Sequence, residues 1–325
     1  MKLNKKMMIL LMVLSTMMVL SSNNWMSMWI GMEINMISFV PIMKVNNKES
    51  SSSSMIYFLT QSMGSSLFLY SLISMWFQSP SEHGSLLVSM VMVSMMIKLG
   101  LPPMHMWMII VMNNSSWMTC FMLMTWQKIA PMTVMSTLTA YTTLTMMIAL
   151  TASIVGAIGG INQTSIRKIM GYSSVSHMGW MMALSMSNMK WMTYLMLYSM
   201  MTFTICQMMK SENSFYLNQI KPTNKINKIA LILNMLSLGG LPPMTGFIPK
   251  WIAIQLMISN NLIMITSIMI MTSLITLMFY INITLPIMSM STSINKISMK
   301  TEKDYSWMII LSLMSPVFLT MNMLI

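Results

Sequence analysis

One glutamate and three lysines of this 325-residue chain stand inside long apolar runs, where an ionisable side chain is expensive. Glu33 lies in Trp29-Ile30-Gly31-Met32-Glu33-Ile34-Asn35, and Lys98 precedes Leu99-Gly100-Leu101-Pro102-Pro103-Met104. Lys128 sits in Thr125-Trp126-Gln127-Lys128-Ile129-Ala130-Pro131, and Lys250 follows Gly239-Gly240-Leu241-Pro242-Pro243-Met244 by a few residues. A charged side chain at mid-bilayer costs about 2.5–3.5 kcal/mol on insertion scales, so each needs a partner or a water-filled cavity. The other acids, Glu49, Glu82, Glu212, Glu302 and Asp304, fall in loops or near helix ends. Desolvation disfavours the charged form of both residue types, and an opposite charge nearby restores it. A lysine between an acid and another lysine can therefore take up or release a proton as its neighbour moves, which is the chemistry of a proton relay. For any single residue the alternative is an ion pair that fixes helix packing. The set of four favours the relay.

His105, just past the first Pro pair, and His177, on a stripe of hydroxyls in Tyr172-Ser173-Ser174-Val175-Ser176-His177, are secondary relay candidates. Histidine carries protons near neutral pH, yet each could equally bridge helices by a hydrogen bond. Arg167 and Lys168 open their helix and read as anchors. No GxGxxG, Walker A or metal-ligand cluster occurs. Cys120 and Cys206 lie in apolar segments and supply neither a disulfide framework nor iron–sulfur ligands. The 55 methionines are spread through the apolar runs as adaptable core fillers, not gathered as copper ligands. That usage, with a single arginine, looks like a codon-biased organelle genome.

The elements that must hold these groups are membrane helices. Only 7% of residues are charged and 55% are apolar, against about 25% charged in soluble proteins. Eleven runs of spanning length (about 20 residues) are expected: 7–22, 25–43, 55–77, 85–111, 117–136, 138–160, 167–187, 191–209, 228–258, 260–286 and 306–324. The connections leave no room for a soluble domain, and Ser50–Ser54 reads as a flexible loop. The Lys-rich start followed by Ser21-Ser22 imitates a secretory signal, and is read instead as a first anchoring helix.

Two runs, 85–111 and 228–258, carry the Gly-Pro-Pro break. Freed backbone groups are tolerated in a membrane only where they are buried in protein or line a cavity. Paired breaks in corresponding places mark transporters built from two repeats, with the site near the midplane. The broken runs are the fourth and the ninth, so they cross in opposite directions. The expected fold is an all-α polytopic membrane protein with two inverted five-helix repeats, 1–137 and 138–286. A loop and a last helix follow over 287–325.

The net charge of +12 does not indicate nucleic acid, because its distribution follows topology. With eleven spans, one side collects Lys2, Lys5, Lys6, Lys44, Lys48, Arg167, Lys168, Lys210, Lys221, Lys225, Lys228, Lys296, Lys300 and Lys303, and the other has Lys190 alone. Fourteen against one is the positive-inside asymmetry.

Several phrases resemble a known family. Gly31-Met32-Glu33-Ile34-Asn35 with Phe39-Val40-Pro41, then the phrases around Lys98 and Lys128, the stretch Gly156 to Lys168, and Leu238 to Trp251 are similar, in order, to NADH–ubiquinone oxidoreductase chain 2, most closely its arthropod mitochondrial form. The likeness runs from about residue 24 to residue 285 and is weak in 287–325.

The resemblance implies an antiporter-like, proton-translocating subunit of the membrane arm of respiratory complex I, with the same eleven helices. It implies that Glu33 and Lys98 form the glutamate–lysine pair of the first repeat. Lys128 would be the linking lysine, and Lys250 the lysine of the second broken helix. It also implies no cofactor in this chain: NADH, flavin, iron–sulfur clusters and ubiquinone would be bound by other subunits. The partners would be other membrane-arm subunits, including neighbouring antiporter-like chains, and membrane lipids. The location would be the mitochondrial inner membrane, with the N-terminus in the matrix and the C-terminus in the intermembrane space. A subunit of a cation/proton antiporter and a purely structural membrane-arm subunit remain the alternatives.

Overall fold

The computed structural model describes residues 2–44, 48–77, 84–138, 142–187, 190–220, 225–289 and 309. Among them there is no β-strand. Thirteen α-helices run in order: α1 (Lys2–Ser21), α2 (Trp25–Met43), α3 (Lys48–Phe77), α4 (Gly84–Leu99), α5 (Met106–Asn114), α6 (Trp117–Met124), α7 (Trp126–Thr137), α8 (Thr142–Gly160), α9 (Ile166–Leu184), α10 (Lys190–Glu212), α11 (Lys225–Gly239), α12 (Phe247–Ser259) and α13 (Ile263–Ser289). They form two compact units, Met1–Ile148 and Ala149–Ile325. By length and composition, α2, α8 and α13 are each long and apolar enough to cross a membrane unaided. All of the expected span 306–324 but residue 309, most of the 287–305 loop and Glu82 lie outside the described residues.

In the first unit α1, α2, α3 and α4 pack in sequence, and α7 returns against α1, α2 and α4. Helix α3 is inside out relative to a helix in water. Its buried stripe is Ser50, Ser53, Ser54, Tyr57, Gln61, Gly64, Ser65, Phe68, Ser71 and Leu72, while Met55, Phe58, Leu59, Met63, Leu67 and Tyr70 face outward. Lipid tails are as apolar as leucine, so association there rests on small and polar residues that pack closely. Ser50–Ser54 is thus helix and not the expected loop. The hydroxyls of Ser51, Ser52, Ser53 and Ser54 each donate to the carbonyl three residues back, at 2.7–2.9 Å, and so need no water. The expected single span 117–136 is also two helices. Thr125 leaves helical geometry (φ −119°, ψ −70°), and its hydroxyl bonds back to the Phe121 carbonyl at 2.8 Å, a contact that bends helices.

The first Gly-Pro-Pro break separates α4 from α5. Gly100 takes φ +67°, which a residue without Cβ adopts freely. Its N–H reaches the Ile97 carbonyl at 3.2 Å and the Leu101 N–H reaches Met96 at 2.9 Å, the paired bonds of a Schellman ending. Side chains cover carbonyls of the last turn: Trp107 Nε1 donates to Ile97 and Gln61 Nε2 to Lys98, both at 3.1 Å.

In the second unit every residue of α9 except Arg167 and Lys168 is buried, with α10, α12 and α13 packed around it and α11 between α10 and α13. Helix α13 repeats the inside-out pattern: Thr266, Thr272, Thr276 and Thr284 are buried, whereas Met264, Met271 and Met278 are exposed. The second break separates α11 from α12, and Gly240 takes φ +82°. A short antiparallel bridge pairs Ser165 with Tyr216, and the Arg167 guanidinium lies 4.5 Å over the Phe215 ring. The bridge ties the segment before α9, and Arg167 the first turn of α9, to the segment after α10.

Candidate functional site: buried lysines at two helix breaks

In the first unit, α2 buries Met28, Gly31, Met32, Asn35, Met36 and Phe39 in one stripe, and Glu33 sits half-buried at its flank. Lys98 is the penultimate residue of α4 and only 7% exposed. Its stem crosses Gly64, where an added Cβ would stand 2.9 Å from Lys98 Cγ. Its ammonium rests 3.8 Å from the sulfur of Met32, and the carboxylate of Glu33, the next residue, acts on it through space. Lys128, on α7, is 2% exposed. Lys98 and Lys128 both line a cavity of about 20 Å³, together with Tyr57, Gln61, Trp107 and Gln127. That is room for about one water in a polar setting.

A string of hydrogen bonds borders this cavity. Tyr57 donates its hydroxyl to Gln127 Oε1 at 3.1 Å, and Gln127 Nε2 donates to Asn35 Oδ1 at 3.1 Å. Asn35 is two residues from Glu33 and Gln127 is next to Lys128. The string therefore joins the helix of the acid to the helix of the second lysine. The sequence expectation singled out none of Tyr57, Gln61, Gln127 and Asn35. Their signal was available: an amide inside an apolar run is nearly as unusual as a charge.

In the second unit Lys250 is 5% exposed. Its ammonium donates to the carbonyl of Gly239, the last residue of α11, at 2.7 Å, where the negative end of the helix dipole favours a cation. Gly240 makes room for it, since a Cβ there would stand 2.8 Å from Lys250 Nζ. Lys98 precedes its Pro pair and turns its ammonium toward Met32 of α2, whereas Lys250 follows its own and reaches back to the last carbonyl of α11.

The histidines are not in the lysine cavity. His105 is half-buried in the turn before α5, with Nδ1 3.3 Å from the Pro103 carbonyl. His177 is buried on α9 with Nδ1 2.7 Å from the Tyr194 hydroxyl, and its ring lies against Tyr198 with centroids 4.9 Å apart. Tyr194 and Tyr198, on α10, are further polar neighbours that the sequence expectation did not name.

Inside-out helices, two Gly-Pro-Pro breaks and buried lysines at each define a membrane protein of the antiporter-like class. Residues 22–276 match the family described as NADH:quinone oxidoreductase/Mrp antiporter, TM. The chain is 39% identical over 308 residues, 92% of its length, to NADH-ubiquinone oxidoreductase chain 2 of Anopheles gambiae, covering 90% of that protein. It belongs to the NADH-ubiquinone oxidoreductase chain 2 family. The fold is also that of a chain in respiratory complex I from Thermus thermophilus with bound aureothin, with TM-score 0.82, 18% identity and coverage of 97% of this chain and 77% of that one. A chain of the Mrp complex from Dietzia gives TM-score 0.76 and 16% identity, over 85% of this chain and 59% of that one.

Proposed function

We propose that this chain is a proton-translocating subunit of the membrane arm of mitochondrial NADH:ubiquinone oxidoreductase, and that Glu33, Lys98, Lys128 and Lys250 carry its protons. The observation behind this reading is that three lysines, each at most 7% exposed, are held at helix breaks or beside a water-sized polar cavity. Burial disfavours an ammonium, whereas a carboxylate, a helix C-terminus or a water favours it. A small change in hydration or in the neighbour's charge is then enough to move a proton. Glu33 biases Lys98, Lys98 and Lys128 share the cavity, and Lys250 exchanges its proton at the end of α11. His105 and His177 are secondary carriers.

In this reading the chain crosses the inner membrane eleven times as two inverted repeats, 1–137 and 138–286, and a last helix. The N-terminus is in the matrix and the C-terminus in the intermembrane space. The energy arrives from NADH oxidation by ubiquinone, through partner membrane-arm subunits that include antiporter-like neighbours. Cofactors are bound elsewhere in the complex.

The test is copurification of the chain with NADH:ubiquinone reductase activity from inner membranes, with proton uptake measured in reconstituted vesicles. Absence of the chain from the active complex would overturn the assignment. Sodium-dependent transport by the isolated chain would instead establish the cation/proton antiporter reading, to which the Mrp likeness in fold is relevant.

A further inference from the structure

Two hydrogen-bond acceptors can be identified on the lining of the cavity that Lys98 and Lys128 share. As ammonium groups both lysines only donate. Trp107 commits its N–H to the Ile97 carbonyl. A carbonyl can only accept, so the atom of Gln61 facing the Lys98 carbonyl at 3.1 Å is its amide nitrogen. The carboxamide oxygen of Gln61 is left as an acceptor. Gln127 is oriented in the same way, because the thioether of Met12, 3.5 Å from its Nε2, also only accepts. The oxygen of Gln127 therefore faces Tyr57, whose single hydroxyl hydrogen is committed to it at 3.1 Å. Tyr57 then presents lone pairs and no hydrogen to the cavity it lines.

Resting on the relay reading, we propose that the Tyr57 hydroxyl oxygen and the Gln61 carboxamide oxygen are an acceptor pair that positions one water between Lys98 and Lys128. The water accepts a proton from the charged lysine and gives one of its hydrogens to the neutral amine of the other. Its remaining hydrogen is held by one oxygen of the pair when Lys98 receives the proton and by the other when Lys128 does, so exchange in both directions needs both. One proton leaves one Nζ, one arrives at the other, and the water is regenerated, so the step runs in either direction. Tyr57 is held for this task by rings on two sides, with centroid separations of 5.2 Å to Phe39 and 6.0 Å to Trp107. Both residues act through the water and are positioning residues.

Tyr57→Phe keeps the ring contacts and removes only the oxygen, and Gln61→Met keeps the side-chain length but removes both the acceptor and the N–H given to the Lys98 carbonyl. Tyr70→Phe, on the outward face of the same helix, is the control. In the assembled complex reconstituted in vesicles, each of the first two is expected to lower the coupled NADH:ubiquinone kcat about tenfold, the worth of one hydrogen bond to a charged group. The KM for ubiquinone and the amount of assembled complex should stay at wild-type values, and Tyr70→Phe should match the wild type. Turnover within about twofold of wild type in both variants, a change confined to KM, or loss of assembly in both would overturn the proposal. Lys98→Met measured alongside separates the two levels. If it also translocates normally, the relay reading fails; if it does not while Tyr57→Phe and Gln61→Met do, only the acceptor pair fails.

Discussion

Replacing Lys250 by methionine separates a relay lysine from a packing lysine, because the energetics of its site nearly cancel. The ammonium makes a 2.7 Å bond to the Gly239 carbonyl, and a hydrogen bond to a charged group contributes about 1.5–3 kcal/mol. Holding that charge in a membrane segment costs about 2.5–3.5 kcal/mol on insertion scales. The balance lies within about 2 kcal/mol of zero. Lys250→Met is therefore expected to assemble at close to wild-type level. Loss of a group that gives and takes protons should nonetheless cost at least about a hundredfold in coupled turnover. Native gels of the whole complex measure the first quantity, and proton uptake by reconstituted vesicles during NADH oxidation measures the second. An assembled Lys250→Met enzyme that pumps normally would remove Lys250 from the relay, and failure to assemble would make it a packing residue. Lys250→Arg should also fail, but less informatively. Its guanidinium does not deprotonate, and a Cβ on Gly240 would already stand 2.8 Å from the lysine nitrogen, so the larger group has little room.

Glu33→Gln keeps the shape and removes the charge that acts on Lys98; assembly should survive and pumping should fall, and wild-type pumping would exclude Glu33 from proton transfer. Gly246→Ala should lower the yield of assembled complex, because a Cβ there runs into the backbone carbonyl of Ser237 and overpacking costs about 1–3 kcal/mol. Gly239→Ala, whose Cβ would meet Leu277 at an ordinary 3.4 Å, should be tolerated, and equal effects of the two substitutions would contradict the packing described for the second break. Protease applied to the outer face of mitoplasts should spare the segment around Tyr216, which the proposed topology puts in the matrix; cleavage there would invert that topology.

The division between what could be read in advance and what could not follows physical lines. Charge in an apolar run is visible from residue order, because the desolvation it must offset follows from residue type before any partner is known. Glu33, Lys98, Lys128 and Lys250 could therefore be picked out from one chain, and so could both breaks, since Gly and Pro act on their own backbone. Errors arose where a local rule met a packed environment. Ser50–Ser54 has the composition of a loop, but the hydroxyls of Ser51 to Ser54 are satisfied within their own helix, and the small side chains of Ser50, Ser53 and Ser54 suit its buried face. The break at Thr125 has no Gly or Pro to announce it.

The sequence by itself determined the class of this protein: apolar runs, two helix breaks, sparse intramembrane charge and an uneven distribution of lysines are all properties of residue type and order. Tertiary structure alone decided which partners each charge meets. Lys250 reaches back eleven positions to the carbonyl of Gly239, and Lys98 and Lys128, thirty residues apart, share a cavity of about one water. Tyr57 and Gln127, seventy positions apart, are joined by a hydrogen bond. The orientations of Tyr57, Gln61 and Gln127 depend on which neighbour can only accept, and those neighbours come from other helices. Residue type fixes what a group can do; the direction in which it does so is set by partners distant in the chain.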